Sequence, residues 1–305
     1  MTATVGATGQ GARARAETPM ARFAAEFARS RTAMLGLLLM VLVVGSALLA
    51  PLIAPQDPYD LAQLDILDGM LAPLAEGGSG ATHWLGTDDQ GRDMLSGILY
   101  GLRTSLLVGV SSTVFGLALG LLVGLSAAYF GGWVDTVIMR IVDIQLSFPA
   151  ILVALILLAL LGKGIDKVII ALTTVQWAYY ARTVRGTALV ERRKEYIEAA
   201  TCLALSHGRI VRRHLLPNCL PPLIVVATVQ VAHAIALEAT LSFLGVGVPV
   251  TQPSLGMLIA SGYQYMLSGE YWISVFPGIA LLVTIVAINL VGDRMRDVLN
   301  PRLSR

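Results

Sequence analysis

Residues 195–218 read EYIEAATCLALSHGRIVRRHLLPN, a soluble-looking stretch in the longest polar interruption of the chain's apolar core, which runs from Arg182 to about Pro217. Its first half has an apolar stripe at helical spacing, formed by Tyr196, Ala199, Ala200 and Leu203. Glu195 and Glu198 lie on the other side of the same short helix. The small alanines at the centre of the stripe would let a partner's groove close tightly over it. The pattern therefore predicts a helical docking surface for another molecule.

The second half of the stretch predicts another short helix. Ser206 can cap its start, and Arg209, Arg212 and Arg213 lie along it. We expect this helix to stop before Pro217, because proline lacks the backbone N–H and clashes with the preceding turn. The stretch would then form a helix, a turn and a helix outside the membrane. An amphipathic pair resting on lipid headgroups is the alternative interpretation.

Long apolar runs surround this stretch in a chain that is 55% hydrophobic and only 14% charged. Six are found, at 31–54, 101–129, 133–161, 165–186, 219–244 and 271–292. Each is long enough for the roughly 20 residues that a membrane-spanning helix needs. The runs lack the two-residue alternation of a membrane barrel, so their backbones must hydrogen-bond within each segment. The sequence predicts an all-α, polytopic membrane protein with six transmembrane helices.

The runs divide the chain into five segments. These are an N-terminal tail (1–30), a first span (31–54), an acidic outer loop (55–100), a five-helix core (101–292) with an inner loop at 187–217, and a C-terminal tail (293–305). In this arrangement 17 of the 22 Lys and Arg residues lie on one side. The positive-inside rule places that side, and both termini, in the cytoplasm. A nucleic-acid surface is a poor alternative, because the basic clusters sit at helix ends without interleaved aromatic residues.

Enzyme signatures are not found in this sequence. Gly162 and Lys163 lack the upstream glycine and the following Ser or Thr of a phosphate-binding loop. Four His and two Cys show no metal-binding spacing. Cys202 and Cys219 fall on or beside the cytoplasmic face, where thiols stay reduced. We therefore expect no catalytic set and no metal site in the chain.

Several residues inside the predicted spans are candidates for packing or function. Gly116, Gly120 and Gly124 recur every four residues and predict a close helix–helix interface. Pro149 should bend or break the third span, and with Glu238 and His233 it is a candidate for the translocation path. Arg140 and Asp143 can pair on one helix face. Ionisable groups in lipid are functional candidates, so Glu238, with His233 nearby, could line a path or simply form a structural pair; both interpretations stay open.

Three motifs resemble those of one transporter family. Glu198, Ala199 and Ala200, followed by Leu216 and Pro217, are similar to the cytoplasmic E-A-A loop of importer permeases with an ATP-binding cassette. Ala204 stands where that family has Gly. The stretches LGTDDQGRD at 85–93, LSFLGVGV at 241–248 and FPGIALLVTIVAINLVGDRMRDVLNPRL at 276–303 resemble the dipeptide, oligopeptide and nickel branch. The resemblance covers most of the chain from about residue 83 onward.

This resemblance implies a type I importer permease fold in a bacterial inner membrane. It also implies a second, related permease subunit, two cytoplasmic ATPases that bind ATP and Mg²⁺, and an outer solute-binding protein, with no cofactor in this chain. The residues that would couple to the ATPases are Glu195, Tyr196, Ile197, Glu198, Ala199, Ala200, Leu203, Ala204, Leu205, Ser206, His207, Leu216 and Pro217. The implied cargo is a peptide or a related small solute such as nickel or glutathione. A secondary transporter and a non-transporting structural subunit are the rival classes.

Overall fold

The computed structural model describes residues 19–60, 64–78, 80–249 and 251–299. Helices dominate these ranges, as the sequence predicts. They are α1 (Pro19–Ala28), α2 (Arg31–Ile53), α3 (Met94–Phe130), α4 (Gly132–Ser147), α5 (Ala150–Leu161), α6 (Ile165–Arg192), α7 (Glu195–Cys202), α8 (His207–Ile210), α9 (Leu216–Phe243), α10 (Leu255–Tyr263) and α11 (Trp272–Leu299). The outer loop adds a 3₁₀ turn at Ile66–Asp68 and two short antiparallel strands, β1 (Ala75–Glu76) and β2 (Thr82–His83).

Four helical units in the described chain are long and apolar enough to cross a membrane. They are α2, α3, α11 and the continuous unit from His207 to Phe243 that contains α8 and α9. The helices α4 and α5 together make a fifth candidate, although they are bent by 92°. The run predicted at 165–186 forms α6, which is outside this group. Length and composition therefore support four or five spans where the sequence predicts six.

The break predicted at Pro149 is present. Helix α4 ends at Ser147, Phe148 is extended (φ −93°, ψ 142°), and Pro149 occupies the N-cap position of α5. A proline disfavours helical geometry in the residue before it, and it lacks the N–H that would continue the helix. The third apolar run is consequently two helices with a sharp corner between them.

Several boundaries differ from the sequence expectation. Helix α3 begins at Met94 rather than near 101, because the Asp93 side chain caps its first turn by accepting from the Ser96 N–H at 2.8 Å. Helix α11 continues to Leu299, past the predicted end at 292. Part of the predicted N-terminal tail forms α1, which packs Phe27 with Ala33 and Val291. Residues 1–18 and 300–305 of the two predicted tails lie outside the described ranges.

The glycine stripe on α3 faces α6 within the same chain. A Cβ atom built on Gly120 would lie 2.5 Å from Tyr180 Cβ, and one built on Gly124 would lie 2.9 Å from Val184 Cβ. Both distances are shorter than real carbon contacts, so any side chain there would push the two helices apart. The absence of side chains lets α3 and α6 pack backbone to backbone at the centre of the bundle.

Ion pairs join α4 to α6. Arg185 donates to both carboxylate oxygens of Asp135, each at 2.5 Å, and Arg182 pairs with Asp143. The predicted pair of Arg140 with Asp143 within one helix is therefore wrong, because the Asp143 partner is on the neighbouring helix. These pairs place the arginines of α6 against carboxylates rather than against lipid.

Candidate functional site

Helix α7 is fastened to the protein by one narrow face. Ile197 and Ala200 are 6% and 4% exposed, and they pack with Ile210, Leu205 and Tyr129. The predicted stripe is split as a result. Ala200 points into the protein, whereas Tyr196, Ala199 and Leu203 are exposed, and Leu203 is 74% exposed.

The outward surface of α7 combines these exposed apolar residues with acidic ones. Glu195 and Glu198 are also exposed. An exposed leucine beside alanine and tyrosine on an anchored helix provides apolar area for a partner to bury. The inward role of Ile197 could have been read from the sequence, since it is the large aliphatic residue three positions before Ala200.

The turn after α7 has the geometry that glycine favours, although alanine occupies it. Ala204 has φ +53°, in the left-handed region. The Leu205 N–H donates to the Ala200 carbonyl at 3.2 Å, and the Ala204 N–H donates to the Thr201 carbonyl at 2.9 Å. These two bonds define a Schellman helix end, and Leu205 packs on Ala200 as that arrangement requires. The turn is therefore sharp without the glycine, at the cost of local strain.

Tyr196 links α7 to the helices on either side. Its hydroxyl donates to Glu191 Oε2 at 2.7 Å and accepts from Asn218 Nδ2 at 3.2 Å. Lys194 completes the group by donating to Glu191 Oε1 at 2.6 Å. Partial burial, and then the hydrogen bond to Glu191, raise the pKa of Tyr196 to about 12. The phenol therefore stays protonated at neutral pH and keeps donating to Glu191.

The second short helix does not stop before Pro217, so that prediction is wrong. Helix α8, a π-helical turn over Val211–Leu215 and α9 form one continuous unit. The wider turn accommodates Pro217, which lies near the start of α9 with no N–H to offer. Ser206 occupies the N-cap position of α8, but its side chain makes no capping bond. The segment after α7 is therefore the first part of a long helical unit that is a candidate membrane span.

A second contact joins the start of this helical unit to α3. The Tyr129 hydroxyl and His207 Nδ1 are hydrogen-bonded, and Arg192 lies over the Tyr129 ring at 5.8 Å. Arg192 Nη1 also donates to the Ala128 carbonyl at 2.9 Å. Since His207 begins α8, the coupling residues predicted from sequence are joined to the ends of α3, α6 and α9.

One face of α9 lines two cavities. The first has a volume of about 380 Å³ and is lined by Ala150, Val175, Gln176, Tyr179, Gln230, His233, Ala234, Ala236, Leu237 and Thr240. The second has a volume of about 740 Å³ and is lined by Thr187, Glu191, Asn218, Pro221, Pro222, Val225, Val226, Val229, Gln230, Gly292, Asp293, Arg296 and Leu299. Gln230 belongs to both. The Tyr196 partners Glu191 and Asn218 line the second cavity, so α7 is bonded directly to the cavity wall.

The structure separates Glu238 from the other two residues predicted for the translocation path, His233 and Pro149. His233 lines the first cavity. Pro149 precedes Ala150, which lines the same cavity. Glu238 is fully buried elsewhere, where it accepts from Ser105 Oγ at 2.8 Å and from Ser242 Oγ at 2.7 Å. Glu238 therefore joins α3 to α9, and it is absent from the described residues that line the two cavities.

Gln176 and Gln230 were missed by the sequence analysis. Both line the first cavity and both are nearly buried. Their signal was present, because an amide inside an apolar membrane run is costly unless it has a partner or a use. The described ranges contain no group of three or more His, Cys, Asp or Glu that could hold a metal ion.

The outer loop forms a compact cap over the start of α3. Gly86 and Gly91 in the LGTDDQGRD stretch have φ of +79° and +75°, and Asp88 Oδ1 accepts from the Gln90 and Arg92 N–H groups at 2.9 Å. Burial raises the pKa of Asp88. Trp272 of α11 donates to the Thr87 carbonyl at 3.2 Å. The motif thus fixes the N-terminal ends of α3 and α11 relative to each other.

Comparison with known proteins agrees with this architecture. The model of the family "binding-protein-dependent transport system inner membrane component" matches residues 116–305, and that of the "N-terminal TM domain of oligopeptide transport permease C" matches residues 18–73. The first match covers more than half of the chain. The chain therefore belongs to the family of inner membrane components of binding-protein-dependent transport systems.

Individual relatives show which transport system components this chain is similar to. The dipeptide transport system permease protein DppC of Escherichia coli K12 is 44% identical over 94% of this chain and 95% of its own length. The di/tripeptide transport system permease protein DppC of Pseudomonas aeruginosa is 39% identical over 94% of this chain and 93% of its own. Among solved structures, a chain of the inward-facing MetNI methionine ABC transporter superposes with a TM-score of 0.56 at 25% identity, covering 67% of this chain and 97% of that one. The chain is therefore similar to permease proteins of peptide transport systems, and it shares its fold with a chain of an ABC importer.

Proposed function

We propose that this chain is one of two membrane-spanning subunits of an ATP-driven importer that moves di- or oligopeptides into the cytoplasm. The observation that carries the proposal is the exposed face of α7, anchored from behind by Ile197 and Ala200. A helix held in this way can be displaced by a bound partner and can transmit that displacement to the rest of the protein. The 44% identity to a dipeptide permease supports peptides as the cargo.

The proposal includes six spans, with α6 as the additional one. A helix of 28 residues is roughly 42 Å long, which exceeds the hydrocarbon thickness of a bilayer. Its Arg182 and Arg185 are paired with carboxylates of α4, which lowers the cost of placing them near lipid. Six spans put both termini on one side, and the distribution of Lys and Arg makes that side the cytoplasm.

The remaining subunits follow from the same proposal. A related but distinct permease would face the cavities along α9, and two ATPases would bind ATP and Mg²⁺ below α7. A solute-binding protein would deliver the peptide to the outer cap. This chain would hold no cofactor, catalyse no reaction and bind no nucleic acid.

The geometry suggests how coupling would run. Closure of the ATPases on ATP would displace α7. The hydrogen bonds of Tyr196 to Glu191 and Asn218 would transmit that displacement to the wall of the second cavity. Because α8 and α9 are continuous, the same movement would tilt α9. Alternating access then needs two packings of the helices, whose populations nucleotide binding shifts.

The test is to coexpress the chain with its chromosomal neighbours and to measure copurification and ATP hydrolysis. We expect two ATPases to copurify with the wild type. A Glu198→Lys, Ala199→Trp double variant should insert in the membrane but lose the ATPases or lose stimulated hydrolysis. Glu76→Lys, a charge reversal at an exposed residue of the outer loop and so on the opposite side of the membrane from α7 in this proposal, is the control for copurification and should retain both ATPases.

The rival classes predict different results. A secondary transporter would stop when the ion gradient is collapsed, whereas the importer would stop when the ATPases are inactivated and survive loss of the gradient. A structural subunit would leave uptake intact when the chain is deleted. If no ATPase copurifies with either wild type or variant, the proposal fails.

A further inference from the structure

Gln176 is an unusual residue in the first cavity. It is 4% exposed, lies on α6 within the bundle and belongs to the cavity lining. Its Cβ packs against the glycine stripe, at 3.3 Å from a Cβ atom built on Gly116. The base of the side chain is therefore held by the close contact of α3 with α6, and the amide beyond it can still rotate about the side-chain bonds.

The two ends of the Gln176 amide differ in their bonding. The oxygen accepts from Thr113 Oγ1 at 3.4 Å. The nitrogen Nε2 is buried and has no hydrogen-bond partner among the residues that the structure describes. An unpaired donor in an apolar interior is unfavourable. Because the nitrogen carries two hydrogens and accepts nothing, only an acceptor can satisfy it.

The rest of the cavity indicates which acceptors would fit. Gln230, His233, Tyr179 and Thr240 add amide, imidazole and hydroxyl groups, and the other lining residues are aliphatic. The described lining holds no carboxylate, lysine or arginine that would select a ligand by its side-chain charge. The volume of about 380 Å³ is at the small end of the range of roughly 300–1,000 Å³ for ligand pockets. Such a surface suits a short peptide whose side chains vary but whose carbonyl groups do not.

We infer that Gln176 is a substrate-contacting residue, whose amide N–H donates to a carbonyl or carboxylate oxygen of the peptide as it passes the first cavity. The inference deepens the proposed function and rests on it. Thr113 orients the amide by occupying its oxygen, so that the donor is the end left for the substrate.

The test uses the assembled importer in proteoliposomes, with ATP on the ATPase side and loaded binding protein on the other. Transport of a labelled dipeptide is compared with that of its thioamide analogue, each at a concentration that saturates the binding protein. Sulfur accepts hydrogen bonds more weakly than oxygen. We therefore expect the wild-type importer to transport the dipeptide faster than the thioamide analogue. Gln176→Leu should carry the dipeptide roughly three- to tenfold more slowly and should lose the preference for it, as removal of one hydrogen bond predicts.

Two further variants guard against a purely structural effect. Gln145→Leu makes the same change at an amide that donates to the Thr174 carbonyl at 3.1 Å and is not among the described residues of the first cavity; it should keep the preference for the dipeptide. Gln176→Glu keeps the shape but replaces the donor by an acceptor, and it should transport more slowly than Gln176→Leu.

The outcomes separate this inference from the proposed function. If wild type and Gln176→Leu both carry the dipeptide at the same rate, or if Gln176→Leu keeps the preference, the role of Gln176 is refuted and the importer stands. If Gln145→Leu loses the preference equally, the effect is structural and the inference is also refuted. If the wild-type complex transports no peptide at all, the proposed function is refuted, and this inference is refuted with it because it depends on that function.

Discussion

Ala204 is the residue at which sequence and backbone disagree most directly. A left-handed alanine costs about 1 kcal/mol relative to glycine, and its φ is +53°. We expect Ala204→Gly to stabilise the turn between α7 and α8 by about that amount. Hydrogen exchange at Ala204 and Leu205, whose N–H groups close the turn, would measure it. Ala199→Gly, the same substitution within helix α7, should instead destabilise by about 1 kcal/mol; equal signs for the two variants would contradict this explanation.

Tyr196 allows a test of the hydrogen bonds that hold α7. The pKa of Tyr196 in the folded chain, about 12, is above its ordinary value of 10.0. A raised pKa contributes stability that is fully present below pH 10 and is lost as the pH rises through about 12. We therefore expect Tyr196→Phe to weaken protection of α7 against proteolysis at pH 7 and to remove the additional loss between pH 10 and 12. A Tyr196→Phe protein that kept the wild-type alkaline profile would show that ionisation of Tyr196 does not control the stability of α7.

At the scale of elements, the contact of α3 with α6 depends on the glycines. Gly120→Val would place carbon atoms inside the Tyr180 and Trp177 positions, and we expect it to destabilise the bundle by about 1–3 kcal/mol. The midpoint of thermal unfolding in detergent would report the loss. Gly186 on α6 has nothing within 4 Å of a built Cβ, so Gly186→Ala should be stabilising by about 0.5–1 kcal/mol. A lower midpoint for Gly186→Ala than for Gly120→Val would contradict the packing argument.

Elements were predictable where the cause is local. The corner at Pro149 follows from proline chemistry acting on Phe148, and the glycine stripe follows from a spacing of four. The helix end predicted before Pro217 is absent, because a π-helical turn widens the helix and accommodates the proline. The predicted partner of Asp143 was also wrong. Arg140 is near it in sequence, but the residue that pairs with Asp143 is Arg182, which another helix supplies. Competition between a local and a distant partner is decided by packing, which the sequence alone does not specify.

At the scale of the whole molecule, the sequence predicted a helical membrane bundle, and its apolar stripe and family resemblance both predicted a docking segment, which stays a prediction. The cavities could not be found in this way, because their walls come from α5, α6, α9 and α11. The assignment of Glu238 illustrates the difference. Its charge left a path residue and a structural pair both open, and its position makes it a bond between α3 and α9. A secondary transporter that used Glu238 as its ion site would need to expose it, and the fold keeps it fully buried.

The proposed translocation path along α9 can be tested by measuring how fast single cysteines on this helix react with a maleimide. With Cys202 and Cys219 replaced, His233→Cys and Thr240→Cys would place thiols at exposed positions of the first cavity, whereas Ile235→Cys would lie on the buried face of the same helix. We expect the two cavity thiols to react with a polar maleimide about tenfold faster or more than the buried one. In the assembled complex, vanadate trapping should change the rates at 233 and 240 together, because both lie on the surface that alternating access exposes and closes. Rates that are equal at all three positions, or unchanged by trapping, would mean that this face of α9 is not the path.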